Sequence, residues 1–329
     1  MSDEILVVFE HDRGQVSETS YQAFGMARAL VAAGVGSTIT AVLVGSDADS
    51  FASDVGAYGA SQALRVHHRE LTDYAPEAWG DIVAELVATR SPAAVVAIAT
   101  DRGSEVLAHA AAVADLPFAA NVLSFAGLSD NGALSLTRVR WGGSLLEQAS
   151  LRANVLVISG APHVFSSELV GNDVAQVSDV EATLDGTASR TRIVDRVTMA
   201  AGITLTTAAV VVSGGRGVGS ADGFAPLIEL ADLLGGAVGC SRVVTNNGWR
   251  PHSDQVGQTG KRIAPELYIA CGISGAIQHW VGMMASKHVL AINTDKEANM
   301  VGKAEYAVVG DLHQILPAVS EEIRRRRGS

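Results

Sequence analysis

The chain has 329 residues, of which 48% are hydrophobic and only 5% aromatic, and its formal net charge is −11 at pH 7. This length suits about two domains with cores of Ala, Val, Leu and Ile, the filling that parallel α/β sheets favour. The acidic balance argues against nucleic-acid binding, which needs a positive field, and no apolar run approaches the ~20 residues that span a bilayer.

Residues 5–9 (ILVVF) read as a buried strand, and residues 15–33 have helical period up to Gly34. A strand at 39–44, a short helix, a strand at 64–67, a helix at 76–90, a strand at 93–99 and a helix at 103–115 follow. This alternation predicts a parallel sheet with right-handed crossovers. After Pro117 the rhythm changes. Residues 133–140 alternate, Gly142 and Gly143 break the chain, and 154–158 reads as a further strand, so an antiparallel edge is expected here. Residues 160–203 lack clear period, and a linker is expected at 191–204, between an N-terminal α/β domain at 1–190 and a C-terminal one at 205–329. The second half offers strands at 207–213, 237–241, 267–271, 288–292 and 305–309, with helices near 223–235, 275–286 and 311–327.

Open α/β sheets bind ligands beyond the carboxyl ends of their strands. In the second half these ends carry Gly214-Gly215-Arg216-Gly217, Ser241-Arg242, Gly272-Ile273-Ser274-Gly275, Asn293 and Gly310-Asp311. Together they predict a large polar ligand. The Gly272 turn leading into a helix offers free backbone N–H groups to an anion such as a pyrophosphate, although an ordinary turn capped by Ser274 gives the same pattern. The loop at 255–260 (QVGQTG) can fold over a ligand or stand free as a surface loop, and His279 read alone is more often an ordinary helix histidine.

Familiar motifs fail. Gln255 stands where a P-loop needs glycine, and Arg262 where Ser or Thr would hold magnesium. Gly215, Gly217 and Gly219 lack the G-x-G-x-x-G spacing, and Ala276 stands where a nucleophile elbow needs its last glycine. His and Cys show no metal-like clustering. Cys240 and Cys271 lie in apolar strand patterns and read as buried free thiols. Arg324–Arg327 read as a solvated helix end. The chain opens on Asp3 and Glu4, without the basic start of a secretory signal, so a cytoplasmic, reducing compartment is expected.

The segments 214–220 (GGRGVGS), Ser241-Arg242, 255–261 (QVGQTGK) and 265–279 (PELYIACGISGAIQH), then Asn293 and Gly310-Asp311-Leu312, resemble the electron-transfer flavoprotein alpha subunits in order and spacing. The likeness is tight over roughly 207–320 and looser in the N-terminal half, which opens on ILVVFEH. It implies a doubly wound, FAD-binding C-terminal domain and a heterodimer with a beta subunit. It further implies electrons taken from flavin dehydrogenases of the acyl-CoA type, as in fatty-acid beta-oxidation, and passed to a quinone oxidoreductase or another acceptor. Such a protein is an electron carrier, not an enzyme with an organic substrate of its own.

The positions that match the family's FAD contacts are Arg216, Ser241, Arg242, Val256, Gly257, Gln258, Thr259, Ser274, Gly275, Ala276, Ile277, Gln278, His279, Asn293, Asp311 and Leu312. By the resemblance, Arg242 and His279 stabilise negative charge at flavin N1 and the C2 carbonyl, and Thr259 bonds N5. Residues 274–277 hold the pyrophosphate, and Asn293 and Asp311 take the ribose or adenine side. The sequence departs from the common pattern at Asn246, where many relatives carry Asp, and at Lys296 and Asn299, where many carry Pro. Two alternatives stand beside this reading: a subunit of an electron-bifurcating, NADH-dependent flavoprotein, and a non-redox nucleotide-binding protein on the same fold. A stand-alone flavoenzyme lacks a catalytic acid/base pair.

Overall fold

The computed structural model describes residues 3–16, 18–143, 145–184, 190–191, 193 and 203–328. The chain forms two compact units, one built from residues up to 197 apart from 142–144, the other from 142–144 and residue 198 onwards. Most of the expected linker at 191–204 lies outside the described residues.

The first unit carries strands β1 (Glu4–Val8), β2 (Thr38–Val44), β3 (Gln62–His67), β4 (Ala94–Ile98), β5 (Phe118–Leu128), β6 (Leu134–Arg140), β7 (Leu145–Leu151), β8 (Leu156–Gly160) and β9 (Gln176–Glu181). They form one sheet in the order β7-β6-β5-β8-β4-β1-β2-β3-β9. Helices α1 (Glu18–Ala32), α2 (Pro76–Arg90) and α3 (Asp101–Val113) connect its parallel strands. The central strands are largely apolar because both faces are covered. Ile5 and Val7 join one core with Phe24 and Leu30 of α1, while Leu6 and Val8 join another with Ile82 of α2 and Leu107 of α3. Local chemistry sets the helix ends. Pro76 opens α2, and the Thr100 hydroxyl caps α3 by accepting from the Gly103 N–H at 2.9 Å.

The expected antiparallel edge is present, but its membership differs. It consists of β5, β6 and β7, with β6 antiparallel to both neighbours. The segment expected at 154–158 is β8, which runs parallel between β4 and β5. Its residues 156–160 are all buried, the pattern of an interior strand and not of an edge. The strand β9 arises in a stretch without clear period because it pairs only with β3 and is mostly exposed. Two 3₁₀ turns at 46–51 and 54–58 stand where one short helix was expected.

The second unit carries β10 (Val210–Gly214), β11 (Ala237–Cys240), β12 (Leu267–Cys271), β13 (His288–Asn293) and β14 (Tyr306–Val309). Its helices are α4 (Ala225–Leu234), α5 (Arg242–Asn246), α6 (Ile277–Met283), α7 (Asn299–Lys303) and α8 (Leu312–Arg327). All strands are parallel, in the order β11-β10-β12-β13-β14, the doubly wound arrangement. Val211, Tyr268 and Ala270 pack on one face, and Val212, Ile269 and Cys271 on the other.

The α6 helix is much shorter than the expected 275–286, because Gly275 at φ +82° holds the preceding turn outside helical space. The short helices α5 and α7 had no clear sequence period. Both cysteines are buried free thiols, and burial pushes each up to about 12. In the arginine run, Arg324 pairs with Glu229 at 2.8 Å, and Arg325 and Arg326 both reach Glu322. Among the described residues, no helix is long and apolar enough to cross a membrane, and no cluster of side chains could hold a metal ion.

Candidate functional site

Because all five strands of the second sheet are parallel, their carboxyl ends share one edge. The strand order reverses between β10 and β12, where doubly wound sheets open a crevice. The loops that follow these two strands interlock there. The Gly215 N–H donates to the Cys271 carbonyl at 2.9 Å, and the Gly217 N–H to the Gly272 carbonyl at 3.0 Å. This approach requires glycine, since a Cβ at 215 would lie 2.3 Å from the Gly272 oxygen.

Beyond β12 the chain turns through Gly272 and Gly275, both at positive φ, before α6 begins. A Cβ at 275 would sit 2.3 Å from the Met300 nitrogen, and the Met300 N–H donates to the Ser274 carbonyl at 3.2 Å. Asn293, at the end of β13, fixes the same turn by donating from Nδ2 to the Ile273 carbonyl at 3.0 Å. The N–H groups of Ser274, Gly275, Ala276, Ile277 and Gln278 have no hydrogen-bond partner among the described residues. The turn itself is what presents them, since Ser274 does not cap α6 and Ala276 stands at the cap position. The Ser241 hydroxyl, at the end of β11, is a buried oxygen with no partner among the described residues. A glycine cradle, a run of free N–H groups and an orphaned hydroxyl on one sheet edge fit a polyanionic dinucleotide such as FAD.

The loop after α5 packs against α6. The Gln258 N–H donates to the Gln278 carbonyl at 2.7 Å, and a Cβ at Gly282 would lie 2.2 Å from the Gly257 nitrogen. Val256 is buried in the core, so its side chain anchors the loop. Gln258 and Thr259 are exposed. The Thr259 hydroxyl accepts from Gln255 Nε2 at 3.0 Å.

His279 lies in the first turn of α6, and its ring is buried. Its Nε2 is 2.8 Å from the Tyr268 hydroxyl, and its Nδ1 is buried. Burial pushes the imidazole down to about 4. It is therefore neutral near pH 7, so it offers hydrogen bonding and not charge. Arg216 and Arg242 are exposed, and neither guanidinium has a partner among the described residues. Asp311 caps α8 by accepting from the His313 N–H at 2.9 Å, and Leu312 is buried, so that residue offers only its backbone. Sequence reasoning missed Gln255, Thr245 and Tyr268. A glutamine opening a glycine-rich loop and a tyrosine inside an apolar strand were the only signals available.

Two family models match in succession: the electron transfer flavoprotein domain over residues 5–185 and the electron transfer flavoprotein FAD-binding domain over 204–284. Among curated relatives, the chain is 36% identical to the electron transfer flavoprotein subunit alpha of Mycobacterium leprae, covering 99% of each chain. It is 33% identical to the subunit alpha of Thermoanaerobacterium thermosaccharolyticum, covering 98% of each. It is also 34% identical to the protein FixB of Clostridium saccharobutylicum, covering 95% of this chain and 94% of the relative. With near full-length identity at this level, and with the glycine cradle inside the matched FAD-binding domain, the chain belongs to the electron transfer flavoprotein family, in its alpha-subunit branch.

Proposed function

We propose that this chain pairs with a beta-type subunit and carries electrons on an FAD held at the carboxyl edge of the β10–β14 sheet. The donors are flavin dehydrogenases of the acyl-CoA type, and the acceptor is a quinone oxidoreductase or an equivalent. The observation that carries this reading is the run of N–H groups from Ser274 to Gln278, free among the described residues, on the sheet edge that also carries the exposed Arg242, with the Gln258 N–H bonded to the Gln278 carbonyl.

Bound FAD supplies the electron chemistry, and the residues supply binding and tuning. The amides of 274–278 and the Ser241 hydroxyl would hold the pyrophosphate. Asn293, Asp311 and the backbone at Leu312 would face the ribose or adenine side, with Arg216 as a further cation. Gly257, Gln258 and Thr259 would lie over the ring, and Arg242 would give it a fixed positive field. An exposed arginine at a strand end, unpaired among the described residues, is available for that work. No side-chain acid, base or nucleophile is required. The domain division at 1–190 and 205–329 follows from the same reading.

The test is co-expression with a beta-type subunit, followed by a visible spectrum of the purified complex. The expected result is a yellow heterodimer with one FAD, bleached by an acyl-CoA dehydrogenase and its substrate. A colourless complex that cannot take up added FAD would overturn the reading.

A further inference from the structure

We propose that Gln255 is a positioning residue for Thr259, and that with Thr245 it forms a relay able to present the Thr259 hydroxyl to the flavin as a donor or as an acceptor. This inference rests on the FAD reading above.

Gln255 is only 2% exposed, although it begins a polar, glycine-rich loop. A buried primary amide is costly unless both its ends are bonded. Here both are. Oε1 accepts from the Thr245 hydroxyl at 2.7 Å, and Nε2 donates to the Thr259 hydroxyl at 3.0 Å. The backbone at 255 is held as well: its N–H donates to the His252 carbonyl at 3.0 Å, and its carbonyl accepts from the Lys261 N–H at 2.6 Å. Gly260 leaves room for this, since a Cβ there would lie 2.2 Å from the Gln255 oxygen. The amide thus sits in a fixed place between two hydroxyls.

In the arrangement just described, Thr245 donates to Gln255, Gln255 donates to Thr259, and the Thr259 proton is free to point outward. Turning the amide by half a revolution reverses every bond. Thr259 then donates to Oε1, Nε2 donates to the Thr245 oxygen, and the Thr245 proton needs a new acceptor. One is already present: the Arg242 carbonyl lies 2.9 Å from the Thr245 hydroxyl. Each hydroxyl has one proton and two lone pairs, so these bonds are satisfied in both polarities. The chain of atoms is therefore reversible, and it ends on the backbone of Arg242, which the same reading places at the flavin.

The chemistry of a flavin makes such reversal useful. Its N5 is a bare acceptor when oxidised and bears hydrogen when reduced. A hydroxyl locked as a donor would lose its bond on reduction. Thr259 keeps a bond in both states if Gln255 can take its proton in one and donate to its oxygen in the other.

The experiment uses the FAD-loaded heterodimer and four forms: wild type, Gln255→Met, Thr259→Val and the double variant. The readouts are the flavin midpoint potential, FAD dissociation constants in both redox states, and thermal melting. Gln255→Met leaves the Thr259 proton without an acceptor in the reduced state, so reduced FAD should bind about tenfold more weakly relative to oxidised FAD. That ratio is a negative shift of about 30 mV for a two-electron couple. The shift should vanish in the Thr259→Val background. A shift of equal size with and without the Thr259 hydroxyl, or no shift at all, would overturn the relay. Thr245→Val carries the same test with Gln255 left in place, should Gln255→Met fail to fold. A wild-type heterodimer that takes up no FAD defeats the functional reading itself. A normally loaded heterodimer without the Gln255–Thr259 coupling defeats only the relay.

Discussion

Tyr268 on β12 and His279 on α6 meet side chain to side chain, with the tyrosine hydroxyl 2.8 Å from the imidazole Nε2 and both rings buried. The pair ties the first turn of α6 to the sheet beneath it, and so fixes the segment that carries the free N–H groups. It also constrains titration. Protonating His279 would put a charge where water cannot reach it, and burial holds its pKa at about 4 instead of 6.5.

A histidine whose folded pKa is depressed stabilises the fold fully above its unfolded value and loses that contribution as pH falls through the folded one. Stability should therefore decline between about pH 6.5 and about pH 4. His279→Gln can keep a bond to Tyr268 without titrating. The difference between wild-type and His279→Gln melting curves should change by up to ~3 kcal/mol across this window. Parallel pH profiles for the two proteins would mean that His279 does not titrate against the fold.

Arg242 should set the flavin potential. An arginine stays protonated at any working pH, and its exposed guanidinium lacks a protein partner among the described residues. Placed at the flavin, that charge would favour the more negative, reduced forms of the ring. Arg242→Ala should lower the potential by the equivalent of ~1–3 kcal/mol of charge-assisted bonding, with the fold intact. Arg242→Lys should recover part of the loss, since the charge remains while the planar fork is gone. Spectroelectrochemical titration at equal FAD occupancy measures both, and unchanged potentials would place Arg242 away from the ring.

Glycines at positive φ should differ in their tolerance of alanine. Gly275 has φ +82° and a neighbour 2.3 Å from any Cβ, whereas Gly235 has φ +61° and open space around it. Gly235→Ala should cost only the left-handed strain, ~1 kcal/mol. Gly275→Ala adds a backbone clash and should cost ~2–4 kcal/mol, with loss of FAD uptake. Urea unfolding of both variants is the check, and equal losses would show that the crowding at 275 is relieved without strain.

Glu4 should be sensitive to loss of charge. Burial alone would raise its carboxyl, but Arg90 and Thr40 outweigh that and hold it below its ordinary value. The carboxylate accepts from Arg90 Nη2 at 2.7 Å and Nε at 2.9 Å, and from the Thr40 hydroxyl at 2.7 Å. Its contribution is thus present above the ordinary carboxylate range and lost in acid. Glu4→Gln should destabilise the first unit by ~2–4 kcal/mol near neutral pH and by less in acid. A loss independent of pH would assign the effect to packing.

The sequence determined the parts that depend on local pattern. Short continuous apolar runs such as 5–9 and 267–271 read as strands covered on both faces, and each proved to be an interior strand. Glycines at 272 and 275 pointed to a turn after the strand, and both stand at positive φ there. Partnership between distant segments was another matter. The strand at 118–128 carries bulged, half-buried pairing with no clean alternation, and the direction of β8 depends on which neighbours it joins. Likewise, nothing in the residue string ties Gln255 to Thr245 and Thr259, or Tyr268 to His279. Such bonds form only once the loop after α5 folds back onto α6 and buries these groups together, because an amide or an imidazole satisfied by water in the open chain must find protein partners where water is excluded.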